Sequence, residues 1–214
     1  MKKRLLSIII VLLGMVSGAL ADVTIDENHF PDWHFRSYVK DYCQPDLIDG
    51  VLTDSEIAQI TEINAVDLNI EDLTGIEYFT ELKELDVFGN SLTSIDVSHN
   101  TKLERLDCGS NQLTSIDVSK NTVLRMLFCS GNQLTSLDVS NNLKLAYLDC
   151  SNNQIGYAEM KKLVESLPLY QPTTELPLGL FTVLDRDNDQ NFITAARRAL
   201  FFVINAPMRM PHSE

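Results

Sequence analysis

The sequence predicts an α/β solenoid whose coils stack a parallel sheet along one face, with a helical cap at the N-terminal end and an α/β cap at the C-terminal end. Three observations predict it. Leucine and asparagine recur every 21 residues without slipping register. Within each repeat, apolar and polar residues alternate over a stretch long enough for one short strand. On either side of the repeats the period disappears and helical spacing takes over.

The columns can be written out directly. Leu82, Leu103, Leu124 and Leu145 form one; Leu85, Leu106, Leu127 and Leu148 the next; Asn90, Asn111, Asn132 and Asn153 a third. Leu92, Leu113, Leu134 and Ile155 follow, then Ile95, Ile116 and Leu137, then Val97, Val118 and Val139. Each turn reads LxxLxCxxNxLTxxDVSxN, with Val87 in place of cysteine in the first. A fixed period of this length is the mark of a repeat architecture. Alternation within LxxLxC gives one strand per turn, about 4.8 Å from its neighbour in the next. Asparagine then turns the chain, because its carboxamide both donates to and accepts from backbone groups that a tight coil leaves unpaired. Replacing Asn111 or Asn132 by alanine is therefore expected to cost about 1 to 3 kcal/mol.

These residues resemble the leucine-rich repeat family, whose pattern LxxLxLxxNxL is matched by Leu82 to Leu92, Leu103 to Leu113, Leu124 to Leu134 and Leu145 to Ile155. The 21-residue form with LTSxDVSxNT is similar to secreted or surface repeats of bacteria. The resemblance implies a right-handed solenoid. A weaker copy precedes the four, with Ile60, Ile63, Ile70 and Leu73 lying 22 residues before Leu82, Leu85, Leu92 and Ile95. The expected organisation is a signal peptide over 1–21, a helical cap over 22–59, repeats over 60–155, a C-terminal cap over 156–205 and a tail over 206–214.

The N-terminus carries Lys2 to Arg4, an apolar run from Leu5 to Val16, and Ala19-Leu20-Ala21 as a small-x-small cleavage pattern, so Asp22 is expected to begin a secreted, extracellular, periplasmic or cell-surface chain. The apolar run is too short for a membrane span of about 20 residues, so no membrane insertion is expected after cleavage. The net charge is −13, and losing three cations and no acid with the leader takes it to −16. Such a surface repels nucleic acid and anionic membranes.

In the N-terminal cap, Phe30, Phe35, Tyr38 and Val39 can form one face of a first helix, and Thr53 with Glu56 makes a capping box for a second. Beyond the repeats, Met160, Leu163, Val164 and Leu167 have helical spacing within 157–167. A strand over 180–184 and a helix over 194–202 are expected to complete the C-terminal cap.

Cys108, Cys129 and Cys150 fall on the inward position of successive strands. Parallel side-chain vectors hold their Cβ atoms farther apart than the roughly 3.5 to 4.5 Å of a disulfide, so they read as buried thiols, with Cys43 lacking an obvious partner. Two stretches resemble degenerate calcium loops. One counts from Pro45 through Asp49, Gly50 and Leu52 to Glu56; the other holds Asp185, Asp187 and Asp189. The first lacks carboxylates at Pro45 and Leu47; the second has Gln190 where glycine and Ala196 where glutamate is needed. No metal or other cofactor is expected. His29, His34, His99 and His212 are scattered as surface side chains, and there is no phosphate loop or nucleophile elbow, so no catalytic residues are expected and the chain reads as a non-enzyme.

The exposed face of the sheet is the expected binding surface. Glu84, Arg105, Met126 and Tyr147 form its first column, Asp86, Asp107, Phe128 and Asp149 its second, and Phe88, Gly109, Ser130 and Ser151 its third. Met126, Phe128 and Tyr147 are expected to meet as an apolar patch ringed by Arg105, Asp107 and Asp149, the pattern of an interaction hot spot. On the return segment Asp96, Asp117 and Asp138 stack, and the serines of that segment, Ser94, Ser115, Ser136, Ser98, Ser119 and Ser140, are the expected donors, with a bound cation as the alternative. The expected function is recognition or adhesion by a monomer that binds a protein or glycan through the sheet; inhibition of a hydrolase or protease is the other reading.

Overall fold

The structure, a computed structural model, describes residues 22–43 and 50–167. Its elements in chain order are β1 (Val23–Thr24), α1 (Trp33–Tyr42), β2 (Val51–Leu52), α2 (Asp54–Ile57), β3 (Glu62–Asn64), a 3-10 turn (Ile76–Tyr78), β4 (Glu84–Asp86), β5 (Arg105–Asp107), β6 (Met126–Phe128), β7 (Tyr147–Asp149) and α3 (Tyr157–Ser166). Strands β3 to β7 form one parallel sheet in sequence order. Leu85, Leu106 and Leu127 pair in register with one another and with Leu148, as the period demands. The weak repeat is real: Ile63 pairs with Leu85 across the sheet.

Burial explains the columns. Leu85, Val87, Leu92 and Val97, with their counterparts one turn on, are 0% exposed and form one continuous core from the N-terminal cap to Met160 and Leu163 of α3. Each coil closes through its asparagine. The Oδ1 of Asn132 accepts from the Leu113 N–H at 2.9 Å, and its Nδ2 donates to the carbonyls of Cys108 at 3.0 Å and Cys129 at 3.1 Å. One side chain thus serves its own turn and the preceding one. Asn111 repeats this one coil earlier, accepting from Leu92 N–H at 3.0 Å. The residue before each of these asparagines is left-handed: Gly89, Ser110, Gly131 and Asn152 have φ of 71°, 52°, 68° and 55°. Glycine and asparagine adopt that conformation at least cost, and serine is the outlier.

A second asparagine column runs through the core. Asn100, Asn121 and Asn142 are fully buried, and the Nδ2 of Asn121 donates to Val97 O at 3.0 Å and Asn100 O at 2.9 Å. Their Oδ1 atoms have no hydrogen-bond partner among the described residues. The period displays these residues, but hydrophobic patterning assigns them no role, since a polar side chain in a return segment looks solvated.

The N-terminal cap closes the solenoid through specific contacts. Both expected helices form, but Phe30 precedes α1 instead of lying on its face, because Asp32 caps the helix after it. Phe35 and Val39 are buried on α1, and Thr53 and Glu56 make the capping box on α2. The antiparallel pair of β1 with β2 adds a contact that two-residue strands leave invisible in a sequence. Asp32 caps α1 through Phe35 N–H at 2.8 Å, and its second oxygen accepts from Glu71 N–H at 2.9 Å, tying the cap to the first coil. Phe30 packs 5.8 Å from the Tyr78 ring and 6.4 Å from Phe79. Gly75, at φ 107°, lies against that Phe30 ring, where any Cβ would collide. The Asn64 N–H on the sheet edge donates to the Tyr38 hydroxyl at 2.9 Å, which satisfies an edge donor that would otherwise invite another strand.

The signal peptide, residues 45–49 of the Pro45 calcium-like loop, the triad Asp185, Asp187 and Asp189, the strand and helix expected over 180–184 and 194–202, and the tail lie outside the described residues.

Candidate functional site: the face of the sheet

Short strands fix which side chains share the outer face. Period-2 alternation turns Leu85, Leu106, Leu127 and Leu148 inward, so the residues on either side of each face outward. The register then stacks Glu84, Arg105, Met126 and Tyr147 in one column and Asp86, Asp107, Phe128 and Asp149 in the other. Both columns are as expected, and β3 extends them with Glu62 and Asn64.

The aspartates share one local device. The Oδ1 of Asp86, Asp107 and Asp149 accepts from the backbone N–H two residues on, at Phe88 (3.2 Å), Gly109 (3.2 Å) and Ser151 (3.0 Å). Each carboxylate is thereby held to the strand end with its other oxygen directed elsewhere. Arg105 collects two of those oxygens, one guanidinium nitrogen reaching Asp86 and the other Asp107, both at 3.1 Å. Its Cζ also stands 5.4 Å from the centre of the Phe128 ring. A guanidinium so placed gains a cation–π contribution of about 0.5 to 2 kcal/mol, depending on how far it is desolvated.

Arg105 was expected at the rim of the patch; instead it lies over the ring. A long side chain on a neighbouring strand reaches a ring that register alone does not link to it. Burial raises the Asp107 carboxyl above the usual carboxylate range, against the opposing Gly109 N–H, and the like charges of Asp86 and Asp149 push the same way while Arg105 pulls it down.

Gly109 corrects another expectation. It is buried, not part of an open third column, because the Phe88 ring lies across it: a Cβ there would stand 3.1 Å from a Phe88 ring carbon and 3.2 Å from Ser130 O. Phe88 remains 38% exposed. Asp86, Asp107, Met126, Phe128, Tyr147 and Asp149 are half-buried, while Glu84 is exposed.

On the return face, Asp96, Asp117 and Asp138 are held below the usual carboxylate range. The hydroxyl of Ser98 is the first cause at Asp96, and the backbone N–H groups of Ser119 and Ser140 are the first causes at Asp117 and Asp138, followed by their hydroxyls. Hydroxyls were expected; the N–H groups, at 2.8 to 2.9 Å, were missed. Among the described residues, the serine donors to these carboxylates are Ser98, Ser119 and Ser140, and not the expected Ser94, Ser115 and Ser136.

No disulfide joins Cys108, Cys129 and Cys150, which stack buried in the core, and burial raises the Cys108 and Cys129 thiols. Burial pushes the Cys43 thiol up to about 12. Glu56 is engaged in its capping box, its Oε2 accepting from the Thr53 N–H and hydroxyl at 2.8 Å. His29 is more than a surface residue, since its Nδ1 lies 2.8 Å from Asp26 Oδ1. Among the described residues, no group of three His, Cys, Asp or Glu side chains is placed to hold a metal, and no helix is long and apolar enough to cross a membrane.

Residues 80–121 match the family model described as leucine-rich repeats in two copies. The matched stretch is made of leucine-rich repeats. Among solved structures, it is similar to the functional domain of InlJ from Listeria monocytogenes, described as including a cysteine ladder, with 29% identity and a TM-score of 0.55 over 71% of this chain and 38% of that one. It is similar in fold to the internalin inlF of the same species, with 24% identity and a TM-score of 0.54 over 72% of this chain and 52% of that one. The chain thus spans well under two thirds of either structure. No curated protein sequence matches it.

Proposed function

We propose that this leucine-rich repeat protein is a secreted, non-enzymatic recognition or adhesion module that binds a protein or glycan through the outer face of its sheet. The observation that carries the reading is Phe128. It interrupts a column of aspartates with an aromatic ring, half-buried beside Met126 and Tyr147, and Arg105 is committed to it. Aromatic and arginine side chains held in place within a polar rim are what interface hot spots are made of. Secretion is supported by Lys2 to Arg4, the apolar run to Val16 and Ala19-Leu20-Ala21.

The test is a paired capture from extracellular extracts using the full chain and its Phe128→Asp variant. The variant restores the acidic column, keeps the fold and removes an anchor worth about 2 kcal/mol or more, so affinity falls roughly 30-fold. A partner that binds both forms equally would move the binding surface off this face. N-terminal sequencing of the exported chain is expected to begin at Asp22.

A further inference from the structure

The sheet face holds one and a half copies of the same cation seat. The complete seat is occupied by the chain itself: Arg105 lies between Asp86 and Asp107, each at 3.1 Å, with its guanidinium over Phe128. Across Phe128 in the same column stands Asp149, Cα partner of that ring as Asp107 is on the other side. Its Oδ1 is turned by the Ser151 N–H at 3.0 Å, the device that aims the second oxygens of Asp86 and Asp107 at Arg105. On this strand, however, the position equivalent to Arg105 is Tyr147. Among the described residues, Asp149 therefore stands opposite Phe128 in register, two residues along its strand from Tyr147, and takes part in no ion pair.

We propose, resting on the reading of the sheet face as the binding surface, that the partner is a polypeptide presenting an arginine side chain, which enters the half-seat formed by Asp149, Phe128 and Tyr147 and repeats outside the chain the contact Arg105 makes within it. Charge complementarity favours this occupant. The face carries Glu62, Glu84, Asp86, Asp107 and Asp149 against the single cation Arg105, in a chain of net charge −13. A planar guanidinium suits the seat better than a compact ammonium, because it stacks on a ring while its edge donates to a carboxylate. A neutral glycan could use the aromatics but would leave the carboxylate of Asp149 without a charged partner.

The probe is a short peptide, acetyl-Gly-Arg-Gly-Arg-Gly-amide, titrated into the full chain carrying 13C-methyl methionine, with Met126 as the reporter. The same peptide with citrulline, which keeps the shape and loses the charge, is the first comparison. Asp149→Asn is the second, and Asp138→Asn, which removes one charge from the opposite face, separates the seat from the general field of an acidic protein. The arginine peptide is expected to shift the Met126 methyl. The citrulline peptide and Asp149→Asn are each expected to weaken binding about tenfold, while Asp138→Asn leaves it within about twofold. Equal binding of the citrulline peptide, equal losses from Asp149→Asn and Asp138→Asn, or no shift at all would overturn the arginine seat. If methyl galactoside or a neutral peptide moves the Met126 methyl and the arginine peptide does not, the seat fails while the sheet face stands. A captured partner indifferent to Phe128→Asp would remove both.

Discussion

Substituting Asn132 by alanine should be one of the most damaging single changes in the chain. The Asn132 carboxamide gives the buried Leu113 N–H its acceptor at 2.9 Å and donates to Cys108 O, Cys129 O and, at 3.4 Å, Ser130 O. Deleting it strands a main-chain donor inside the coil, which costs about 1 to 3 kcal/mol. The carbonyls lose less, because a second lone pair and neighbouring donors soften the loss, at about 0.5 to 1 kcal/mol each for the two short contacts. The sum is roughly 2 to 5 kcal/mol, more than the roughly 1 to 3 kcal/mol that pattern alone suggests. Measured by urea melts at neutral pH, Asn132→Ala should lower the midpoint strongly and exposed Gln133→Ala should not. Asn153→Ala, at the half-buried last turn, should cost less than Asn132→Ala. The second column supplies the internal control. Asn121 donates to two carbonyls but accepts from nothing described. Asn121→Ala therefore strands no N–H and should cost less, about 1 to 2 kcal/mol. Equal losses at the two positions would refute the reasoning that the stranded donor, not the buried amide as such, sets the magnitude.

Ser110 sits at φ 52° where its neighbours one turn away are glycines, so Ser110→Gly should leave stability unchanged or raise it by up to about 1 kcal/mol in thermal melts, and Gly131→Val should lower it. Asp96, Asp117 and Asp138 are held below the usual carboxylate range when folded, so they stabilise the fold above the unfolded carboxylate pKa; that contribution is lost as pH falls through their folded values, and a pH series of melts should lose the acid part of its slope in the triple Asn variant. Because serine donors already serve these carboxylates, millimolar calcium followed by chelator should leave the melting temperature unmoved; a rise of several degrees would place a cation there. Gly109→Ala should displace the Phe88 ring and change its near-ultraviolet signal with little loss of the sheet, since the obstruction is a ring at 3.1 Å together with one carbonyl.

The scaffold is legible in the sequence because its cause is periodic. Leu85, Leu106, Leu127 and Leu148 must all face one core, and a slip of one residue would turn the whole column outward. The outer columns follow from the same register, which is why Phe128 could be assigned to the face before any coordinates. What register does not contain is reach. Arg105 crosses to Phe128 because a guanidinium on one strand spans to the next, and Phe88 folds across Gly109 because that position lacks a Cβ; both depend on rotamers. The buried role of Asn100, Asn121 and Asn142 was invisible for a different reason. Polar residues between DVS and the next leucine look like a solvated bend, and only the coil's closure shows that their amides bind carbonyls of the preceding turn. The Tyr38 hydroxyl on Asn64 N–H is a tertiary contact between residues 26 apart in the chain, with no local pattern to announce it.

Scaffold and face are physically separable in this molecule, and that separation explains why the aspartate column can be broken at Phe128. Leu127 and Asn132 carry the burial and hydrogen bonding of the third full turn, so the residue between Leu127 and Cys129 can change without disturbing either. An aromatic there still exposes apolar surface, and Arg105 offsets part of this by covering one side of the ring. On the next strand, Asp149 stands opposite Phe128 in register and Tyr147 opposite Met126. Arg105 is itself fixed by Asp86 and Asp107, so the ring is held in place before any partner arrives, and a ligand pays little to order it. Binding at this face should accordingly resemble docking onto a rigid sheet. Backbone amide exchange in β5, β6 and β7 should be equally slow with and without the arginine peptide, whereas a face that orders only on binding would show exchange slowing in those strands.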